Sequence, residues 1–149
     1  MHDPERPMRA AAALAAHLEW IAGDIDRWLT LFAEHAIVEF PYAASVGLPP
    51  RLIGKPAIAD YFRRTPAVFR GLAFRDLRVH AGVDPDVVVA EVHGSATLAP
   101  GDGAYEQDYV MVLECRDGLV VRYREYWDGA AAVAALNKAS GIRDALGGV

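Results

Sequence analysis

The sequence predicts an α+β fold in which helices cover one face of a curved antiparallel sheet. Apolar residues recur at helical spacing in the first part of the chain and alternate at strand spacing in the later part. Tight-turn signals separate the later strands, which is typical of an antiparallel meander. Because the helices precede that meander, they are expected to pack together on one face of its sheet.

Helical patterns come first along the chain. Leu14, Leu18 and Ile21 keep a period near 3.6, which predicts a helix over residues 7–22. Gly23-Asp24 interrupts this pattern before a second predicted helix over residues 25–33. A short strand over 36–40, a loop over 42–54 with two prolines and two glycines, and a third helix over 55–64 are expected to follow.

The remaining elements are four strands and a closing helix. Strands are predicted over residues 72–80, 87–98, 105–115 and 119–127, with turn signals at Pro100-Gly-Asp-Gly103 and Arg116-Asp-Gly118. In the second of these strands Val88, Ala90 and Val92 share one face, opposite Glu91 and His93. A helix over 130–138 is expected to close the fold, and residues 139–149 show no strong pattern and are treated as a tail.

Composition and charge exclude several classes of protein. The 149 residues carry a net charge of −5 with scattered Lys and Arg, so nucleic-acid binding is not expected. No apolar run reaches the roughly 18–20 residues that a membrane helix needs. The N-terminus carries both charge signs and does not resemble a signal peptide, and Cys115 is the single cysteine, so a cytoplasmic location is predicted.

Glu125 is the most informative residue, because of the strand in which it lies. Side chains of a strand alternate between two faces, so Glu125 shares a face with Val121, Tyr123 and Trp127. A carboxylate among apolar side chains is desolvated, and its pKa moves toward neutrality, where it transfers protons efficiently. The alternative is a buried carboxylate that pairs with Arg122 or Arg124.

Three segments together resemble a known family. They are the run Ala22-Gly-Asp-Ile-Asp-Arg-Trp-Leu-Thr-Leu-Phe-Ala-Glu-His-Ala-Ile-Val-Glu-Phe-Pro41, the run Leu52-Ile-Gly-Lys-Pro-Ala-Ile58, and the stretch from Arg116-Asp-Gly118 to Arg124-Glu-Tyr-Trp-Asp128. Over residues 8–138 the chain resembles the SnoaL-like polyketide cyclases of the nuclear transport factor 2-like superfamily. The resemblance implies one domain over residues 1–149, with a sheet and three N-terminal helices forming a cone around an apolar cavity, usually in a homodimer.

Departures from more distant relatives narrow the expected chemistry. The catalytic base of ketosteroid isomerase falls on Phe40 here and its tyrosine falls on Ala16, which disfavours that reaction. One carboxylate of limonene epoxide hydrolase coincides with Glu125, but its arginine and second carboxylate fall near Val92 and Gly94. The positions that hold its water fall on Val38 and Phe40. Phenazine-biosynthesis relatives resemble this chain in carrying a working Glu at the Glu125 position.

The expected site combines the alternation with the resemblance. Glu125 is predicted to move a proton, and Tyr109 or Gln107 on the adjacent strand to polarise a carbonyl. The expected substrate-binding residues are Tyr123, Trp127, Met111, Phe40, Tyr42, Tyr61, Phe62 and Val92, with the loop Val46-Gly-Leu-Pro-Pro50 at the mouth.

The residues and the resemblance together predict a cofactor-independent cyclase or isomerase of secondary metabolism, such as antibiotic biosynthesis. Its substrate is expected to be an apolar, polyketide-like small molecule. No metal-ligand spacing is present, since His80 and His93 lie thirteen residues apart with no third ligand, and no phosphate-binding loop occurs. The alternatives are a non-catalytic small-molecule-binding protein and an epoxide hydrolase or hydratase of the same fold.

Overall fold

A computed structural model describes residues 8–138 and 141–147, which form six helices and six strands. The helices are α1 (Met8–Trp20), α2 (Ile25–Leu29), α3 (Lys55–Phe62), α4 (Thr65–Val68), α5 (Gly129–Lys138) and α6 (Ile142–Ala145). The strands are β1 (Phe32–Glu39), β2 (Arg51–Ile53), β3 (Phe69–Ala81), β4 (Val87–Leu98), β5 (Ala104–Arg116) and β6 (Leu119–Trp127). None of the helices in these two ranges is long and apolar enough to cross a membrane.

The six strands form one sheet in the order β2-β1-β6-β5-β4-β3. The strands from β3 to β6 make the predicted antiparallel meander, which confirms the α+β fold class. The expectation of a purely antiparallel sheet is corrected at one pairing, since β1 runs parallel to β6. Most of the chain separates these two strands, so no hairpin turn forces them to be antiparallel.

Bulges curve the sheet around its helical side. The register between β3 and β4 shifts twice, between Arg70 and Ala73 and between Arg75 and Arg78. Each shift contains a residue with a left-handed backbone, namely Gly71 with φ 65° and Asp76 with φ 57°. Bulges of this kind bend and twist a strand. Long β3 therefore wraps around the helices instead of extending the sheet as a flat edge.

Apolar side chains between the helices and the sheet form two clusters. The larger one contains Trp28, Phe32, Leu14 and Ile58, all at most 2% exposed, between α1, α2, α3 and the sheet. The smaller cluster consists of Val68, Leu98, Tyr105, Ala135, Ile142 and Leu146. It lies where β4 and β5 meet α5 and α6, and it extends the core toward the C-terminus.

Several element boundaries differ from the predictions. Helix α2 ends at Leu29 instead of residue 33, because Thr30 caps it and Phe32 already pairs with Val120 of β6. Strand pairing with a distant segment thus overrides a continuing local pattern. The predicted loop over 42–54 contains a 3-10 turn (Ala43–Val46) and the three-residue β2, which is too short to show an alternation. In β6 a bulge next to Cys115 leaves Val120 fully buried, so Val120 and not Val121 belongs to the core face.

The C-terminal segment also differs from expectation. No pattern marked residues 139–149, yet residues 141–147 contain α6, and Ile142 and Leu146 are 1% and 4% exposed. Residues 139, 140, 148 and 149 of the expected tail lie outside the described residues. A single helical turn with two buried apolar side chains is too short to produce a recognisable period.

Candidate active site

The end of β6 carries Glu125 and Trp127 into a cavity between the sheet and the helices. The neighbouring strand β5 places Met111 opposite Glu125 and Tyr109 opposite Trp127, so these four side chains form one cross-strand patch. The cavity encloses about 90 Å³. Its other lining residues are almost all apolar or aromatic, and Glu125 is the one acidic or basic side chain among the described residues that line it.

Glu125 lies partly buried in this apolar wall. Burial raises the pKa of Glu125 to about 7, and a hydrogen bond from the Tyr123 hydroxyl opposes that rise. The predicted alternative of an arginine partner is not realised. Arg122 pairs with Glu39 and Glu114, and Arg124 pairs with Glu114 on the opposite face of the sheet. A carboxyl group with a pKa near 7 is able to act as either acid or base under neutral conditions.

Tyr123 was expected to line the cavity, but it lies behind Glu125 and does not border the cavity. It is fully buried, and its ring packs edge-on against His17 at a centroid distance of 4.7 Å. His17 is held in turn by Trp28, whose Nε1 donates to His17 Nδ1 at 2.9 Å. Burial lowers the pKa of His17 to about 3, so the ring is neutral and carries its proton on Nε2. Tyr123 therefore supports Glu125 from a rigid aromatic layer.

Tyr109 faces the cavity as predicted, and Tyr105 lies beside it. The two hydroxyl oxygens are 3.2 Å apart, and both rings border the cavity. Burial raises the pKa of Tyr105 to about 12 and also raises the pKa of Tyr109, so both phenols remain protonated hydrogen-bond donors. Tyr105 was missed among the candidate residues. The alternation Tyr105, Gln107, Tyr109 places it on the same face and could have identified it.

The Tyr109 ring occupies space that a glycine leaves open. A Cβ atom built on Gly94 of β4 would lie 2.8 Å from Cε2 of Tyr109 and 3.3 Å from the Phe74 ring. Such a contact is too short for any side chain, so the ring position depends on glycine at residue 94. Phe74 and Tyr109 pack edge-on at 6.2 Å, which fixes the ring from the other side.

Gln107 faces inward on β5 but does not reach the cavity. Its Nε2 donates to the Asp128 carbonyl oxygen at 3.0 Å, and its Oε1 accepts from the Asp128 backbone N–H at 2.8 Å. The side chain is 1% exposed. Both ends of the amide are thus engaged at the start of α5, and the expected role in polarising a carbonyl is replaced by a contact that fixes the end of β6.

The remaining candidates divide between the cavity and the opposite sheet face. Phe40, Tyr61 and Phe62 line the cavity as predicted, with Phe40 and Tyr61 rings 5.4 Å apart. Tyr42 is 53% exposed and packs on Tyr126 at 5.6 Å, outside the cavity. Val92 is a buried core residue that also borders the groove on this outer side.

Other parts of the cavity wall come from segments that carried no site prediction. Leu48 and Pro49 of the expected mouth loop do line it. Phe69, Leu72 and Phe74 of β3 add to the wall, as do residues of α5 and α6. Their only signal in the sequence was apolar character, which core residues share. No group of three or more metal-ligating side chains converges within residues 8–138 and 141–147.

Comparison with known proteins agrees with this geometry. The family model that describes the SnoaL-like domain matches residues 11–123 of this sequence. The chain belongs to this family. The uncharacterized protein YesE of Bacillus subtilis is 38% identical over 105 residues, which cover 70% of this chain and 71% of that protein. An uncharacterized PhzA/B-like protein of Pseudomonas aeruginosa is 33% identical over 114 residues, covering 76% of this chain and 79% of the relative.

Solved structures of SnoaL-like and related proteins show the same fold. A "Putative Isomerase" from Bacillus subtilis superposes with a TM-score of 0.82 at 32% identity, covering 90% of this chain and 96% of the other. A "putative polyketide cyclase" from Xanthomonas campestris gives a TM-score of 0.71 at 27% identity, covering 87% and 98%. A Mycobacterium tuberculosis protein in complex with estradiol-17beta-hemisuccinate gives a TM-score of 0.73 at 24% identity, covering 83% of this chain and 96% of the other. The fold is therefore the cone of the nuclear transport factor 2-like superfamily.

The family match does not reach the carboxylate. It ends at residue 123, before Glu125, Trp127 and the whole of α5. Family membership accordingly explains the sheet and helices that enclose the cavity. Glu125, Trp127 and helices α5 and α6 lie in the part of the chain that follows the matched residues.

Proposed function

We propose that the protein is a cofactor-independent isomerase or cyclase in which Glu125 moves a proton on an apolar, polyketide-like intermediate of secondary metabolism. One observation carries this proposal. A carboxyl group with a pKa of about 7 faces an apolar cavity with no cationic partner among the lining residues. An ionisable group in such surroundings costs stability, which is typical of a functional site and not of a structural one.

The chemistry needs only the residues of the cavity. The Glu125 carboxylate removes a proton from the carbon next to a carbonyl group, and the bonding electrons move onto the carbonyl oxygen. In an isomerisation, the Glu125 carboxylic acid returns the proton to another carbon of the conjugated system. In a cyclisation, the enolate carbon attacks a second carbonyl carbon, and the new alkoxide takes the proton from Glu125. Either product has the mass of its substrate.

Tyr109 is the proposed donor to the enolate oxygen. It lies diagonally across the strand pair from Glu125, because Met111 is the residue directly opposite. Its phenol is protonated, and one such donor in a dry site stabilises a developing oxyanion by about 3 kcal/mol. Trp127, Phe40 and Tyr61 supply flat walls that hold the reacting carbons near Glu125.

The relatives support this class of substrate. Names given to structural neighbours include isomerase and polyketide cyclase, and one neighbour holds a steroid derivative. The cavity of about 90 Å³ is smaller than the roughly 300 Å³ typical of ligand pockets. A ligand with several rings therefore has to push side chains such as Trp127 and Tyr61 apart as it enters.

Solvent hydrogen exchange tests the proposal directly. The protein would be incubated in D₂O with a panel of cyclic monoketones and β,γ-unsaturated ketones, and the products analysed by mass spectrometry. The native chain should introduce deuterium at the acidic carbon or shift the double bond. Glu125→Gln should lower that rate by about 100-fold or more, and Tyr109→Phe by about 100-fold. Glu19→Gln, a change at an exposed carboxylate of α1, is the matched control and should keep the native rate.

Three results would contradict the proposal. An unchanged exchange rate in Glu125→Gln would remove Glu125 from the reaction. A product heavier by one water would indicate a hydrolase or hydratase. Tight retention of a panel compound without exchange would indicate a binding protein.

The homodimer and the cytoplasmic location remain proposals. The outer face of the sheet is the surface proposed for the dimer, because it exposes Val110 and Tyr42 beside a wide groove of about 780 Å³. Its charged groups are already paired within the chain, as in the contact of His93 with Asp108 at 2.8 Å. Such a mixed surface is compatible with self-association across a two-fold axis.

A further inference from the structure

The cavity has two chemically different ends. Glu125, Met111 and Trp127 form one end, next to the larger apolar cluster. The other end lies against the smaller cluster, where four side chains of α5 and α6 and that of Leu146, directly after α6, face the cavity. We call these five residues the end wall: Ala132, Ala135, Leu136, Ile142 and Leu146. Tyr61 packs against both clusters and lies between the two ends.

The end wall is apolar and tightly packed. Ile142 and Leu146 are 1% and 4% exposed, and Ala135 is 5% exposed. The two alanines have small side chains, so a larger residue at either position would reduce the space in the cavity. The end wall contains no polar side chain that could bind a charged group or a hydroxyl. Tyr105 belongs to the same cluster, but its hydroxyl is engaged with that of Tyr109, so a ligand group that contacts these five side chains must be hydrocarbon.

Contacts with β5 hold the end wall in place. Gln107 pairs with the backbone of Asp128 immediately before α5. At the other end of this helix, Lys138 Nζ donates to the Ala104 carbonyl oxygen at 2.8 Å. The end wall is thus supported as a fixed boundary of the cavity.

We propose that the end wall sets the length of the ligand. The ligand would carry its carbonyl group near Glu125 and an apolar extension directed toward Ile142 and Leu146, and a longer extension would be excluded. The orientation of the carbonyl rests on the proposed function. The end wall lies in the part of the chain that follows residues 11–123, which match the family.

Binding of straight-chain methyl ketones of increasing length tests the proposal without any turnover. Calorimetry with the full-length native chain should show affinity rising about fourfold for each methylene group, up to a limiting length. Ile142→Ala and Leu146→Ala should move that limit to longer ketones. Ala135→Leu should move it to shorter ones. The control is Val133→Ala on α5, whose side chain is 41% exposed, and it should leave the limit unchanged.

The outcomes separate this inference from the proposed function. The same limiting length in the native chain, Ile142→Ala and Ala135→Leu, each shown folded by circular dichroism, would overturn the end-wall proposal. Failure of all ketones to bind the native chain would overturn it as well. Shifted limits in a protein that shows no deuterium exchange would support the end wall and overturn only the proton-transfer function. Glu125→Gln should retain the native limit, since it leaves the end wall intact.

Discussion

At the scale of single residues, Glu125 owes its properties to the absence of a cation on its side of β6. The sequence contains two arginines within three positions, and alternation alone predicts that both face away from Glu125. The structure confirms that separation, since Arg122 and Arg124 pair with carboxylates on the other face. The hydrogen bond between Tyr123 and Glu125 was not predictable. Residues i and i+2 of a strand share a face, but alternation does not tell which of the two side chains lies nearer to the cavity.

The raised pKa of Glu125 makes stability depend on pH. The pKa is about 7 in the folded chain against an ordinary value of 4.5, so the folded state favours the protonated form. Below pH 4.5 the Glu125 carboxyl group is protonated in both states and does not reduce the free energy of unfolding. That free energy falls as the pH rises from 4.5 to 7. The full penalty above pH 7 is about 3 kcal/mol.

Glu125→Gln should remove this penalty because glutamine stays neutral. We expect urea denaturation to show a gain of up to about 3 kcal/mol at pH 8 and almost no gain at pH 4. Glu19→Gln is the control and should show no comparable dependence on pH. An equal change of stability at both pH values would mean that Glu125 is not the group that titrates.

At the scale of elements, sequence patterns located the long strands well and the short segments poorly. The predicted bounds of β4 and β6 agree with the structure, because clear turn signals flank both strands. Strand β2 and helix α6 consist of three and four residues, which is less than one full repeat of a recognisable pattern. Their positions depend on pairing with β1 and on burial against β5, which are tertiary contacts.

Gln107 illustrates the same limit within one element. Alternation correctly places it on the inner face of β5, but its partner is a backbone segment, and sequence patterns do not identify such partners. The side chain joins the sheet to α5, which carries part of the end wall. A residue expected to act on the substrate therefore acts on the position of a helix.

Gln107→Ala should destabilise the protein through α5. The substitution leaves the Asp128 N–H without its Gln107 partner, while the Asp128 carbonyl oxygen keeps the Ala132 N–H at 3.1 Å, and we expect a loss of about 2 kcal/mol in urea denaturation. Asp128→Ala removes only the side chain that accepts from the Ala130 N–H at 2.9 Å, and should cost about 1 kcal/mol. A smaller loss for Gln107→Ala than for Asp128→Ala would contradict the importance of the backbone contact.

At the scale of the whole molecule, the cone could be predicted from the sequence, but the parallel strand pairing and the end wall could not. The order of helices and strands, together with the family resemblance, was enough to predict the α+β cone. The parallel pairing of β1 with β6 was not, since it joins segments far apart in the chain. The end wall was missed for a related reason, because α5 and α6 contain ordinary apolar residues whose function depends on where they pack.

The proposed dimer makes a prediction about the outer sheet face. Val110 borders the groove on that face and is 36% exposed. Val110→Arg would place a bulky charged side chain at the proposed interface, so we expect sedimentation velocity to show a shift from dimer to monomer. Val133→Arg, at a side chain of similar exposure on α5, should leave the association unchanged. A native chain that sediments as a monomer would contradict the proposed interface.

The close approach of Tyr109 to Gly94 also restricts how this chain could evolve. The second carboxylate of limonene epoxide hydrolase falls near this position, where the ring leaves no room for a Cβ atom. An acidic residue gained at Gly94 would first have to displace Tyr109, and with it the proposed donor to the enolate oxygen. A mutational path from proton transfer to epoxide opening would therefore pass through an intermediate that has lost the first activity before it acquires the second.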